Sequence, residues 1–112
     1  MQLVFFRTGR GDEPVKEYIE SLPLSEQAVV EAMLSQLAKD GYLPPPFAKK
    51  LKGVEKLWEL RPGRHRVMYF YYQGNKAILL HAFRKQSQKT PQRELQVALA
   101  RIKTIEQGGA YG

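Results

Sequence analysis

Apolar residues change their spacing three times along this chain, and each change marks a change of element. Leu3, Val4, Phe5 and Phe6 favour extended structure and predict a first strand over 2–7. Arg7-Thr8-Gly9-Arg10-Gly11 reads as a turn. Val15, Tyr18, Ile19 and Leu22 then recur with the spacing of one helical face, with Asp12 as the expected cap and Pro14 in the first turn. Pro23 breaks that helix. A second helix follows, with Ser25 as its expected cap and Val30, Met33, Leu34 and Leu37 on its buried face. Asp40-Gly41 is its stop, so the two helices are expected to form an antiparallel hairpin.

Leu43-Pro44-Pro45-Pro46 cannot be regular structure and carries the chain toward a sheet. From Phe47 the pattern turns to β, with a short piece near 48–52 and longer ones over 56–61, 65–72 and 76–85. Pro62-Gly63-Arg64 and Gln73-Gly74-Asn75 are the hairpin turns between them. The last two segments are almost continuously apolar, as central strands covered on both faces are. Thr90-Pro91 predicts a helix start, Leu95, Ala98, Leu99 and Ile102 supply its apolar face, and Gly108-Gly109 ends it. The expected architecture is one α+β domain over 1–112 in the order β-α-α-β-β-β-α. It combines a mainly antiparallel sheet with an N-terminal helical hairpin and a C-terminal helix.

Charge adds a second pattern. Residues 1–60 carry eight Lys/Arg against nine Asp/Glu, whereas 61–112 carry ten Lys/Arg against only Glu94 and Glu106. Within 12–40, seven acids face only Lys16 and Lys39. An acidic helical part and a strongly basic remainder form the electrostatic footprint of a polyanion partner.

Several chemistries are excluded. There is no cysteine, so no disulfide framework or thiolate metal site, which fits a reducing cytoplasm. The apolar start is too short for a signal peptide, and no segment is long enough to span a membrane. No Gly-rich phosphate loop and no Gly-x-Ser-x-Gly elbow occurs. His65 and His81 fall in different strands without the carboxylate neighbours of a metal site, so no metal or other cofactor is expected. Any catalytic tools must be cations.

Such tools suit RNA, whose 2′-hydroxyl lies beside the scissile phosphate as a ready nucleophile. Alternation puts Leu57, Glu59 and Arg61 on one strand face, Arg66, Met68 and Phe70 on another, and His81, Phe83 and Lys85 on a third. Arg61 and Arg66 flank one tight turn, and Lys85 ends the strand antiparallel to 65–72. The loop through Lys89 then leads to the N-terminus of the last helix, which attracts anions. Arg61, Arg66, Lys85 and Lys89 are therefore the candidate catalytic cations, expected to converge on one phosphate. Arg64, His81, Arg84, Gln88 and Thr90 are the candidate RNA contacts around them. Each has a plainer reading: Arg61 as a partner of Glu59 or Glu55, Lys85 and Lys89 as solvated charges, and His81 as a hydrogen-bonded core histidine. Arg84 could serve as a solvated charge, Thr90 as a helix cap and Trp58 as core.

Leu57-Trp58-Glu59-Leu60-Arg61, His65-Arg66-Val67-Met68-Tyr69 and above all the run from Leu79 to Pro91 resemble the phage-derived HigB-like branch of the RelE/ParE toxin superfamily. The resemblance covers essentially the whole chain. It implies a RelE-like fold and the toxin of a type II toxin–antitoxin pair, a cytoplasmic endoribonuclease. Such a toxin enters the ribosomal A site, cuts messenger RNA without a metal and is silenced by a cognate antitoxin, here of helix-turn-helix type. Arg66 matches the arginine that contacts the scissile phosphate in RelE-like enzymes, Arg61 a basic position before the turn, and Lys85 and Lys89 the basic segment after the last strand. The sequence departs from RelE where lysines are replaced by Leu57 and Glu59. No residue clearly matches the RelE tyrosine near the C-terminus, Tyr111 lying past the last helix. Lys85, Lys89 and His81 are left as candidate proton-transfer groups. Two alternatives stay open: a ParE-like protein-binding inhibitor of a topoisomerase, and a non-catalytic RNA-binding module.

Overall fold

A computed structural model describes residues 1–54 and 56–108; Glu55, Gly109 and Tyr111 lie outside the described residues. The elements are β1 (Gln2–Phe5), α1 (Pro14–Glu20), α2 (Leu24–Asp40), β2 (Ala48–Lys50), β3 (Trp58–Leu60), β4 (His65–Tyr72), β5 (Lys76–Arg84) and α3 (Gln92–Glu106). The α+β class follows from the pattern, but the sheet has one more strand than expected. The piece after Phe47 pairs with β3, so the order is β-α-α-β-β-β-β-α. Three residues are too few to display an alternation, and only long-range pairing makes Ala48–Lys50 a strand. The sheet runs β1-β5-β4-β3-β2, with β1 parallel to β5 and the remaining pairings antiparallel.

The three expected helix caps are replaced by other arrangements. Asp12 closes a turn instead, its N–H donating to Thr8 Oγ1 at 3.1 Å, and α1 begins after Glu13 without a side-chain cap. Ser25 lies inside α2, because Pro23 takes the position before the first helical residue. Pro91 does the same for α3, which leaves the Thr90 hydroxyl free for another partner. A proline there presents no N–H that would need a cap. Gly41 ends α2 in the left-handed conformation at φ 76°, as its sequence signal requires.

β4 is buried along most of its length because helices cover both of its faces. Val67 and Tyr69 join Leu60, Ala77 and Leu79 under Val15 and Ile19 of α1 and Val30, Leu34 and Leu37 of α2. Met68 and Phe70 join Leu57, Ile78, Leu80 and Phe83 under Ala98, Ile102 and Ile105 of α3. The described residues thus form three layers, α1/α2 over the sheet over α3.

One irregularity in β5 decides what faces α3. Tyr69 pairs with Leu79 and Met68 with His81, so Leu80 has no partner across β4 and forms a bulge. Simple alternation from Ile78 and Leu80 would send His81 and Phe83 to the α1/α2 side. The bulge returns them to the α3 side, where Phe83 is buried and His81 Nε2 lies 2.7 Å from Glu94 Oε1. The Leu80 carbonyl accepts a hydrogen bond of 2.7 Å from Arg101 Nη1 of α3, whose guanidinium also lies over the Phe6 ring.

Arg101→Met should therefore cost about 1–3 kcal/mol, the penalty of a partly buried polar group left unmade. Urea unfolding checks it, and an unchanged midpoint would remove the bulge-capping role. Burial and the neighbouring Tyr71 raise the Tyr69 hydroxyl well above its usual 10.0. Above that value the unfolded chain gives up a proton that the folded chain keeps. Stability contributed by this group is whole below pH 10 and declines as pH rises beyond it, by about 1.4 kcal/mol per pH unit. Tyr69→Phe should flatten that alkaline decline in a pH series of unfolding curves.

Candidate nucleic-acid interface

The pairing pattern brings basic residues to one end of the sheet on its α3 side. Glu59 pairs with Met68 across β3–β4, and Arg66 pairs with Phe83 across β4–β5. Beyond the strand ends the pairing continues, with Arg61 N–H donating to Phe47 O at 2.9 Å and Lys85 N–H to Arg64 O at 2.8 Å. Arg61, Arg66 and Lys85 thus come to neighbouring places, as alternation and the tight turn predict.

At their centre is a buried carboxylate. Glu59 is 1% exposed. Its Oε1 accepts from Arg61 Nε at 3.1 Å and lies 3.8 Å from Arg66 Nε, while its Oε2 accepts from the Thr90 hydroxyl at 3.0 Å. Arg66 is itself almost buried, and its Nη1 donates to Gly63 O and His65 O, both at 2.8 Å. Burial pulls the Arg66 guanidinium below its ordinary value, Glu59 opposes that pull and Arg61 adds to it. An arginine so placed still keeps its charge near neutral pH.

Arg64, Arg66, Lys85, Gln86, Ser87 and Gln88 line an open cleft of about 350 Å³. Of the sequence-predicted residues, the structure thus brings Arg64, Arg66, Lys85 and Gln88 together. Arg61 stands behind them, joined to Arg66 through Glu59 rather than lining the cleft. Thr90 is tied to the same carboxylate. Lys89 is exposed and outside the cleft lining, and its carbonyl accepts from Ser87 Oγ at 2.9 Å. The four-cation convergence is therefore partial: two of the four line the cleft and a third shares their counter-charge.

Arg84 points to the opposite side of the sheet, 3.8 Å from Glu26 of α2. It helps line a second depression with Glu26, Val29, Arg64 and His65. His81 is half-buried under the first turn of α3 and ion-paired or hydrogen-bonded to Glu94, away from the cleft lining.

The histidines depart from expectation in one respect, since both have a carboxylate neighbour. His65 Nε2 lies 2.7 Å from Glu26 Oε1, and its Nδ1 lies 2.6 Å from the Tyr18 hydroxyl. A neutral ring satisfies both by donating to the carboxylate and accepting from the hydroxyl. These partners are 39 and 47 residues away in sequence, so no local pattern could have revealed them. Among the described residues no group of three or more His, Cys, Asp or Glu is placed to hold a metal ion. Nor is any described helix long and apolar enough to cross a membrane.

A mixed sheet covered by helices on both faces, with a cleft lined by Arg64, Arg66 and Lys85 at one end, defines a small α+β protein. The chain belongs to the family described as Phage derived protein Gp49-like (DUF891), whose model matches residues 17–103. That family is of the RelE/ParE-like toxin type. No curated protein matches the chain.

Glu59→Gln keeps the side-chain shape but leaves two guanidinium groups without their shared counter-charge. It should lower stability by roughly 3 kcal/mol, the lower end for breaking a buried pair because Arg61 retains contact with water. Added phosphate should recover more stability in this variant than in the parent chain, by mass action on the unpaired arginines. Equal phosphate effects in the two proteins would show that Glu59 does not hold the arginines' charge in check.

Proposed function

We propose that this chain is the toxin of a type II toxin–antitoxin pair, of the HigB-like branch, and that it cuts messenger RNA on the ribosome. The observation that carries the reading is the joint placement of Arg64, Arg66 and Lys85 around one open cleft, in a chain of RelE/ParE-like family. Positively charged groups fixed before substrate arrives can stabilise a phosphorane-like transition state without reorganising.

In this mechanism the 2′-oxygen of the substrate bonds to phosphorus and the bond from phosphorus to the 5′-oxygen breaks. The products are a 2′,3′-cyclic phosphate and a 5′-hydroxyl. The 2′-hydroxyl proton leaves to water, and the Lys85 ammonium donates a proton to the departing 5′-oxygen. Lys85 takes this role because it lines the cleft with Arg66, whereas Lys89 and His81 lie outside that lining. Arg66, held by two backbone carbonyls, presents its guanidinium in a fixed orientation to the phosphate. Arg61 and Glu59 act behind it as positioning residues. The protein works in the cytoplasm, and a helix-turn-helix antitoxin with an acidic segment covers the basic face.

Glu59 favours a second reading. A carboxylate that already neutralises part of the cationic cluster suits a non-catalytic RNA-binding module better than a cutting enzyme. The ParE-like alternative makes no use of an open cationic cleft.

Induced expression with mapping of RNA ends separates the three. Transcripts ending in cyclic phosphate are the expected result. Intact RNA with DNA damage would move the chain to the topoisomerase inhibitors, and no growth arrest would favour the binding module. Lys85→Gln should slow cutting by about 10²-fold or more while leaving the unfolding midpoint unchanged. Arg66→Lys, which keeps the charge but loses the planar fork, should also slow it. Undiminished cutting by the Lys85 variant would take the proton donor's role away from that residue.

A further inference from the structure

Phe47 is 53% exposed, a large aromatic ring beside a row of charges. The backbone shows which way it points. Arg61 N–H donates to Phe47 O, Lys49 pairs with Glu59, and Leu51 N–H donates to Leu57 O at 2.9 Å. Phe47, Lys49 and Leu51 therefore share the face of Arg61, Glu59 and Leu57, the α3 side of the sheet. Ala48, between Phe47 and Lys49, is buried on the opposite side with Leu60.

The row across the sheet is thus Phe47, Arg61, Arg66 and Phe83, and Lys49 sits one step along β2 from Phe47. Phe83 is buried at the far end of the row, and the chain entering α3 bonds through Thr90 to Glu59, next to Arg61. The near end, at the sheet's edge, is open: Phe47 and Lys49 are exposed and Arg61 retains 27% of its side-chain surface. Phe47 stands two strands from Arg66, about 10 Å at the usual strand spacing. Phe47 closes the turn that leads into β2, its N–H donating to Pro44 O at 3.0 Å.

An exposed aromatic face between cations is the arrangement that binds single-stranded nucleic acid, with the ring stacking on a base and the cations taking the phosphates. We infer that Phe47 is a stacking platform for the nucleotide base next to the scissile phosphate, with Lys49 taking the phosphate that follows, so that Phe47 sets base preference at that position. The inference rests on reading the same face as an RNA-cutting site. A base that stacks well, a purine, is held best, which makes the flanking base and not only the phosphate a determinant of cutting.

The test uses the full chain with ribosomes stalled on messengers that differ only in the bases flanking the cut. The parent chain should cut with a preference for a purine at one neighbouring position. Phe47→Ala should slow cutting about five- to hundred-fold and flatten that preference, the loss expected for one stacked base. Phe47→Trp should restore both rate and preference, which a merely structural role would not do, and its added indole fluorescence should be quenched when messenger is present. Lys49→Ala should slow cutting at every sequence alike, as loss of a phosphate contact does. If the parent chain cuts but Phe47→Ala keeps its rate and base preference, the platform is overturned while the ribonuclease reading stands. If the parent chain leaves every messenger whole, the ribonuclease reading fails and the platform fails with it.

Discussion

The cationic end of this protein depends on one buried carboxylate. Two pieces of chain meet at Glu59: the β3–β4 turn, through Arg61 and Arg66 on either side of it, and the entry to α3 through Thr90, 31 positions away. Two guanidinium groups held close together repel each other, and water cannot screen that repulsion where one is nearly buried. A carboxylate shared between them makes the arrangement tolerable, and its second oxygen fixes where the last helix begins. Stability and site geometry therefore come from the same atoms, so Arg66 faces the cleft already oriented.

That arrangement also explains why the cations are not equivalent. Arg66 is held from behind by carbonyls and Glu59, whereas Lys85 and Arg64 stand at the rim on the ends of paired strands. The opposite face is organised by a different group, His65, which joins Tyr18 of α1 to Glu26 of α2. The two faces of the sheet thus carry separate polar centres on consecutive residues of β4, and only one of them opens onto the basic cleft.

Much of this was legible in the residues, and the failures have identifiable causes. The helical faces of α1, α2 and α3 came directly from periodicity, because each apolar side chain packs as its spacing requires. The placing of Arg61, Arg66 and Lys85 at one end came from a tight turn and an antiparallel partner. It survived only because the bulge at Leu80 restored a face that straightforward alternation would have reversed. No residue type announces such a bulge, and its signature is the Arg101 contact 21 positions away. Caps were misassigned because a proline before each of α2 and α3 took the place given to a hydroxyl. Lys89 lies outside the cleft lining because nearness along a loop does not fix where its side chain goes. β2 was absent from the expected order because its partner, not its own three residues, defines it.

The shortness of β2 has a consequence for how the protein keeps company. An outermost strand offers unpaired backbone groups to any other extended chain, and a long one invites stacking of copies. Here that border is three residues long and displays Lys49 and Lys50 on its two sides. Two such borders would repel each other on approach, so the charges on this flank hold sister molecules apart.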